Sequence, residues 1–187
     1  MIICTHYDPK HPENSEYRDI PNDEWDGYDD KQAYLSDLAA AEYENLLELE
    51  NRENISRIKF IDADHKDTYI FVLSRMKHLD CYHRSLAYLL ALDTVLREHT
   101  DEVFNFKEDG IKRDGLHKGF QTGTSMKTTR LAFNLWNGCY DDGETYTDKD
   151  GYETELPSSY YTPEQIFNNA EYAPYYWEAV KIRFEYR

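Results

Sequence analysis

Cysteine is scarce: Cys4, Cys81 and Cys139 are the three in 187 residues. An odd, widely spaced set excludes a disulfide framework and fits a reducing compartment. No apolar run approaches the roughly 18 residues that a membrane-spanning helix needs. The opening MIICTHYDPK lacks a basic stretch followed by a long apolar one, so no secretory signal is expected. Positive charge is also short, with 21 Lys and Arg against 37 Asp and Glu and a net charge of −16. A free-standing nucleic-acid binder carries a basic patch or stripe, so free nucleic acid should bind weakly at most. Repeats and low-complexity tracts are missing, as are a nucleophile elbow and a Ser–His–Asp set.

What is present suits a folded domain, with 40% hydrophobic and 15% aromatic residues, including 17 tyrosines. Tyrosine offers apolar area with a polar tip and serves half-buried positions and interfaces. Charge is uneven. Residues 1–57 hold 15 acidic and 5 basic side chains, a net of −10, whereas residues 58–187 hold 22 and 16, a net of −6. The acidic part complements a basic protein surface; ordinary solubility explains the same charge with no partner.

The expected class is mainly α (α+β), a helical core with two β-hairpins. Residues 2–20 read as a hairpin with a long Asp-, Pro- and Asn-rich tip, and residues 144–156 as another, with Asp150-Gly151 as a two-residue turn. Residues 34–50 form a helix with Leu35, Leu38, Tyr43, Leu46, Leu47 and Leu49 mostly on one side and a row of carboxylates on the other. After a short extended piece at 58–61, Asp62 caps a helix to about Leu79. A further helix runs from Asp80 to His99, and residues 100–115 read as loop. The stretch 121–139, QTGTSMKTTRLAFNLWNGC, is the expected central helix. Thr124 or Ser125 caps it, Leu131, Leu135 and Trp136 with Phe133 form its apolar stripe, and Gly138 ends it. Thr162-Pro163-Glu164-Gln165 begins a short helix with a capping box. Pro174 opens the last one, with Trp177 among its apolar residues. The domain expectation is an acidic appendage, 1–57, on a core at 58–187.

Several constellations carry chemistry in principle. His6, Lys10 and His11 in the first hairpin supply a base, an acid and a charge for RNA transesterification; solvated polar residues at a hairpin tip give the same pattern. Asp23, Glu24, Asp26, Asp29 and Asp30 form an acidic loop able to meet a basic partner. His117 and Lys118, among glycines before a helix start, and Arg130 are candidates for phosphate contact, although the GxxxxGK[ST] spacing is absent. Aligned on Gly151, an EF-hand would place Tyr146 and Pro157 at its first and twelfth positions, so calcium is not expected. Cys81, His83 and His78 do not complete a zinc ligand set. No metal or cofactor is expected.

Four phrases carry a resemblance: FIDADH at 60–65, CYHRSLAYLLAL at 81–92, FQTGTSMKTTRLAFNLWNGC at 120–139 and TPEQIFNNAEYAPYYWEAVKIR at 162–183. On these, residues 58–187 resemble an uncharacterised domain family of phages and mobile elements in Gram-positive bacteria. That family has no catalytic residues to transfer. With its acidic hairpin segment the whole chain is similar to anti-CRISPR proteins that inhibit type II effectors of the Cas9 class. One such group acts on the guide RNA, with an N-terminal hairpin implicated. The resemblance implies a protein of the host bacterial cytosol that partners Cas9 or its guide-RNA complex and either blocks it or causes Cas9-dependent truncation of the guide. The other functions considered are a phage-encoded hydrolase with a cellular substrate and an acidic, nucleic-acid-mimicking module without catalysis.

Overall fold

A computed structural model describes residues 3–6 and 16–18, positions 34, 35, 38, 41, 44, 45, 48 and 49, and residues 55–156, 160–168 and 171–185. The chain divides into two compact units, Met1–Arg57 and Ile58–Arg187.

In the first unit β1 (Ile3–His6) pairs antiparallel with β2 (Glu16–Arg18). The partners are Ile3 with Arg18, Cys4 with Tyr17 and His6 with Glu16. Thr5 is therefore bulged out of register, which locally increases the twist of such a ribbon. The described positions between 34 and 49 are helical. Tyr34 and Leu49 are buried while Glu44 and Glu48 are exposed, as the apolar period requires. A short 3-10 turn follows at Ile55–Arg57.

The second unit is built around α2 (Cys81–Leu92), which packs on α1 (Ala63–Ser74), α5 (Gly123–Asn137) and α7 (Ala173–Phe184). The expected centre was α5, and the structure moves it to α2. Ser85 through Leu92 are all buried, and a helix that is apolar on every side gains only where neighbours surround it. Each fully buried leucine of this helix is worth roughly 1.5–3 kcal/mol in transfer free energy. By contrast α5 buries Leu131, Ala132, Phe133 and Leu135 but leaves Asn134 and Trp136 half-exposed.

Helix ends explain most boundary shifts. Asp62 caps α1 by accepting from the amide of His65, and the helix stops at Ser74 instead of reaching Leu79. The expected 80–99 helix is interrupted. Asp93 has extended dihedrals, φ −86° and ψ 130°, and its carboxylate accepts from the amides of Val95 and Leu96 to start α3 (Thr94–Glu98). An aspartate that can bond nearby amides favours a cap over a helix interior. At α5 the cap is Thr122, not Thr124 or Ser125: Thr122 and Ser125 satisfy each other's amides reciprocally. Gly138, at φ 78°, ends α5 in the left-handed conformation. In α7 Trp177 is 55% exposed, so it lies off the core stripe held by Tyr176 and Ala179.

Residues 100–117 are ordered where a loop is expected. They hold α4 (Thr100–Val103), a hairpin of β3 (Phe104–Asn105) and β4 (Gly110–Ile111), and a 3-10 helix, Arg113–His117. A bond from Lys112 N–H to the Val103 carbonyl, 2.8 Å, ties the two sides. Gly115 permits the closest approach. A Cβ there would lie 2.8 Å from the Glu102 carbonyl oxygen.

The second expected hairpin forms from β5 (Thr145–Thr147) and β6 (Glu153–Glu155). Its connection is longer than the expected two residues. Asp148 N–H donates to the Tyr152 carbonyl, leaving Lys149, Asp150 and Gly151 outside the ladder, with Gly151 at φ 85°. That is the three-residue loop with a left-handed glycine. Thr162 caps α6 (Pro163–Phe167), with Pro163 in its first turn.

Candidate functional site

The acidic first unit contributes strand geometry to the candidate RNA-directed set. His6 is the last residue of β1, opposite Glu16. Lys10 and His11 lie outside the described residues, as do Asp23, Glu24, Asp26, Asp29 and Asp30.

The three candidate phosphate-contacting cations lie in the second unit, each beside a different carboxylate. His117 Nδ1 is 3.4 Å from Glu144, and Lys118 Nζ is 3.4 Å from Asp114; all four side chains are at least 43% exposed. Such pairs contribute little energy, on the order of 1 kcal/mol or less. Arg130 is different. Its Nε lies 3.2 and 3.1 Å from the two Asp142 carboxylate oxygens, and one terminal nitrogen also donates to Asp142. The side chains of this pair are 12% and 3% exposed. Burial, together with the Asp142 charge, pushes the Tyr161 hydroxyl well above the usual phenol range. The arrangement fastens the segment after α5 to the helix itself. At the start of α5 the Ser125 amide is already taken by Thr122.

His65 is fully buried and hydrogen-bonded at both ring nitrogens. Nδ1 accepts from Ile61 N–H at 3.3 Å, and Nε2 donates to the Tyr88 carbonyl at 2.9 Å. That tautomer is neutral. Burial, with help from the Arg97 charge, lowers its pKa from 6.5 to about 4. Burial likewise pushes Tyr176 up to about 12. These perturbed groups belong to the core of the helical unit.

A second histidine lies between carboxylates. His83, 4% exposed, places Nδ1 2.8 Å from Asp80 Oδ1 and Nε2 3.0 and 3.2 Å from the two oxygens of Asp109. Asp80 is also the cap of α2, accepting from the amides of Tyr82 and His83. Burial pushes its carboxyl up, but the His83 ring and amide bonds outweigh that and hold it below its usual value. Asp109 sits in the 106–109 loop at φ 58°, a left-handed position that aspartate tolerates better than most residues. His78 and Trp136 complete the surroundings, with ring centroids 5.4 and 4.6 Å from His83. Sequence reasoning identified His83 and the Asp80 helix start, but it had no signal for Asp109, 26 residues away. Among the described residues no three His, Cys, Asp or Glu side chains are placed to hold a metal ion.

An open groove of about 260 Å³ lies beside α5, lined by Leu131, Leu135, Ile166, Phe167, Val180 and Phe184 among others. No helix among the described residues is long and apolar enough to cross a membrane.

Together these features define a small acidic protein, mainly α-helical with short β-hairpins, many of whose described basic side chains pair internally with carboxylates. The chain belongs to the DUF6075 family, a family of unknown function, which matches residues 55–187. No curated protein matches the chain, and no solved structure matches it.

Proposed function

We propose that this protein is an anti-CRISPR protein of phages or mobile elements in Gram-positive bacteria, inhibiting an effector of the Cas9 class in the host cytosol. The observation that carries the reading is charge: net −16 overall, of which −10 falls within residues 1–57. Cas9 holds its guide–target heteroduplex in a positively charged channel, and a strongly acidic protein is drawn to such a surface. Asp23, Glu24, Asp26, Asp29 and Asp30 supply the docking carboxylates. Exposed Glu44 and Glu48 add negative charge to the same unit. The resemblance expected from the sequence, to Cas9 inhibitors with an N-terminal hairpin, implies the same partner.

Guide-RNA truncation is the catalytic form of this proposal. His6 and His11 then serve as base and acid, Lys10 supplies the charge, and His117, Lys118 and Arg130 contact phosphate. The carboxylate partners of the last three favour a blocker without catalysis. A hydrolase with a cellular substrate calls for perturbed groups around a polar cleft, whereas His65 and Tyr176 are buried in the core.

The test is reversal of the five loop carboxylates to Lys. The fold should persist if these residues lie in the loop that the sequence predicts, because surface substitutions typically cost within about 0.5 kcal/mol. Co-purification with Cas9 at moderate salt should weaken; unchanged binding rejects acidic docking.

A further inference from the structure

Two carboxylates face one imidazole at His83, and only one protonation state satisfies both. A neutral imidazole has one N–H and one lone pair; an imidazolium has two N–H groups. With Nδ1 2.8 Å from Asp80 and Nε2 3.0 Å from Asp109, the charged ring donates to both. The neutral ring donates to one and turns a lone pair toward the oxygen of the other. We infer that His83 is a proton-operated latch that holds the β3–β4 hairpin, through Asp109, to the first turn of α2. It is closed when the ring carries two protons and released when it carries one.

The geometry supports a device confined to this hairpin. Asp80 stays in place in either state, because its carboxylate also caps α2. Asp109 is the movable partner. It sits at the loop end, held locally by the short pairing of Phe104 with Ile111 and Asn105 with Gly110. The charged and titratable groups facing His83 are Asp80 from its own helix start, Asp109 from the hairpin and His78 from the α1–α2 connection. His78 Nε2 is 3.9 Å from Asp109 Oδ2, and its side chain is 66% exposed. From α5 the neighbour is the uncharged edge of Trp136. From α7, Arg183 reaches Cys81 Sγ at 3.7 Å, two residues before His83. A charge on His78 would attract Asp109 in the same direction, but across 3.9 Å and from an exposed ring, so the latch rests on His83. Imidazoles change charge across the physiological range, so docking of residues 104–111 becomes pH-dependent.

Asp109→Asn isolates the mechanism. Asparagine keeps the size and tolerates the left-handed backbone, and its amide can donate to the neutral Nε2. The latch then no longer needs the second proton. Amide hydrogen exchange on the full chain, corrected for intrinsic rates, is compared at about pH 8 and about pH 5.5, either side of the imidazole range. In the wild type, protection at Phe104, Asn105, Ile111 and Lys112 should rise about tenfold or more on acidification, the scale of a charge-assisted bond gained. In Asp109→Asn the rise should vanish. Ring nitrogen chemical shifts supply the second measurement: both His83 nitrogens should be protonated when the hairpin is protected, and Nε2 unprotonated in the variant. Equal wild-type protection at the two pH values, a variant that tracks the wild type, or a singly protonated His83 in the protected state would each overturn the latch.

Discussion

Acidification should destabilise the helical unit through His65. The folded ring is neutral, accepting from Ile61 N–H and donating to the Tyr88 carbonyl. A second proton would set an N–H of Nδ1 against the Ile61 N–H. Its pKa falls from 6.5 to about 4, so the unfolded chain takes the proton first as pH drops. The stability that the neutral ring confers is complete above about pH 6.5 and is lost between there and about pH 4. At 1.36 kcal/mol per pKa unit, the full loss is about 3 kcal/mol. Integrated from pH 7.5 to pH 5 it is about 2 kcal/mol, with no discount for solvent screening because the ring is fully buried. The assay is urea unfolding followed by circular dichroism at both pH values, for the wild type and His65→Gln. Glutamine can accept and donate at one side-chain end but does not titrate. It will cost stability at pH 7.5, because the tilted ring contact of His65 with Tyr88, centroids 4.5 Å apart, is lost. The diagnostic is the slope: the wild type should lose about 2 kcal/mol more than the variant between the two pH values. All other titratable groups are common to the two proteins, so their contributions cancel in the comparison. Parallel losses would refute the argument, as would a His65 ring found doubly protonated at pH 5.

Other outcomes follow from the same packing. Asp142→Ala strands a buried guanidinium, so unfolding free energy should drop by roughly 3–5 kcal/mol, while Asp114→Ala, beside exposed Lys118, should change it by less than about 1 kcal/mol; equal effects in thermal melts would contradict the burial contrast. Leu90→Ala in α2 should cost roughly 2–5 kcal/mol in chemical denaturation, and a smaller loss than the same change at half-exposed Leu79 would displace α2 from the centre. Gly115→Ala drives a methyl to 2.8 Å from the Glu102 carbonyl and should cost roughly 1–3 kcal/mol; an unchanged melting temperature would show that the 3-10 turn yields freely.

The elements legible in the sequence are those whose signals are local. Asp62, Asp80 and Thr162 announce their helices because a short polar side chain three residues ahead of an amide is enough. Gly138 announces a stop for an equally local reason. The hairpin at 144–156 is likewise written in alternation around a glycine, though its third loop residue is not. What is hidden depends on partners far along the chain. The hub role of α2 is obscured because α5 is marked locally at both ends, by its capping residues and by Gly138, whereas the burial of Ser85 through Leu92 depends on three helices distant in sequence. The segment 100–117 consists of elements too short for any period, held by bonds such as Lys112 to Val103. The same holds for charged groups. Arg130 reads as a basic residue available to phosphate until Asp142, twelve positions on, is seen against its guanidinium. His83 reads as an incomplete zinc ligand until Asp109 appears beside it. Of the anti-CRISPR candidate residues, only the backbone position of His6, opposite Glu16, lies within the described first unit; Lys10, His11 and the acidic loop lie outside the described residues.

The proposed function meets its most direct test in a Cas9 DNA-cleavage reaction run with and without the protein, with the guide RNA then resolved on a denaturing gel. The account predicts that DNA cleavage is suppressed, and that suppression weakens as salt rises, because exposed charges are screened over about 8 Å at physiological ionic strength. If the catalytic form holds, the guide is shortened only when Cas9 is present, since this strongly negative chain repels free RNA. Replacing His6 and His11 together by Ala then abolishes shortening while Cas9 binding persists. A full-length guide with suppressed cleavage identifies a blocker. Undiminished DNA cleavage at every protein concentration would contradict the central claim.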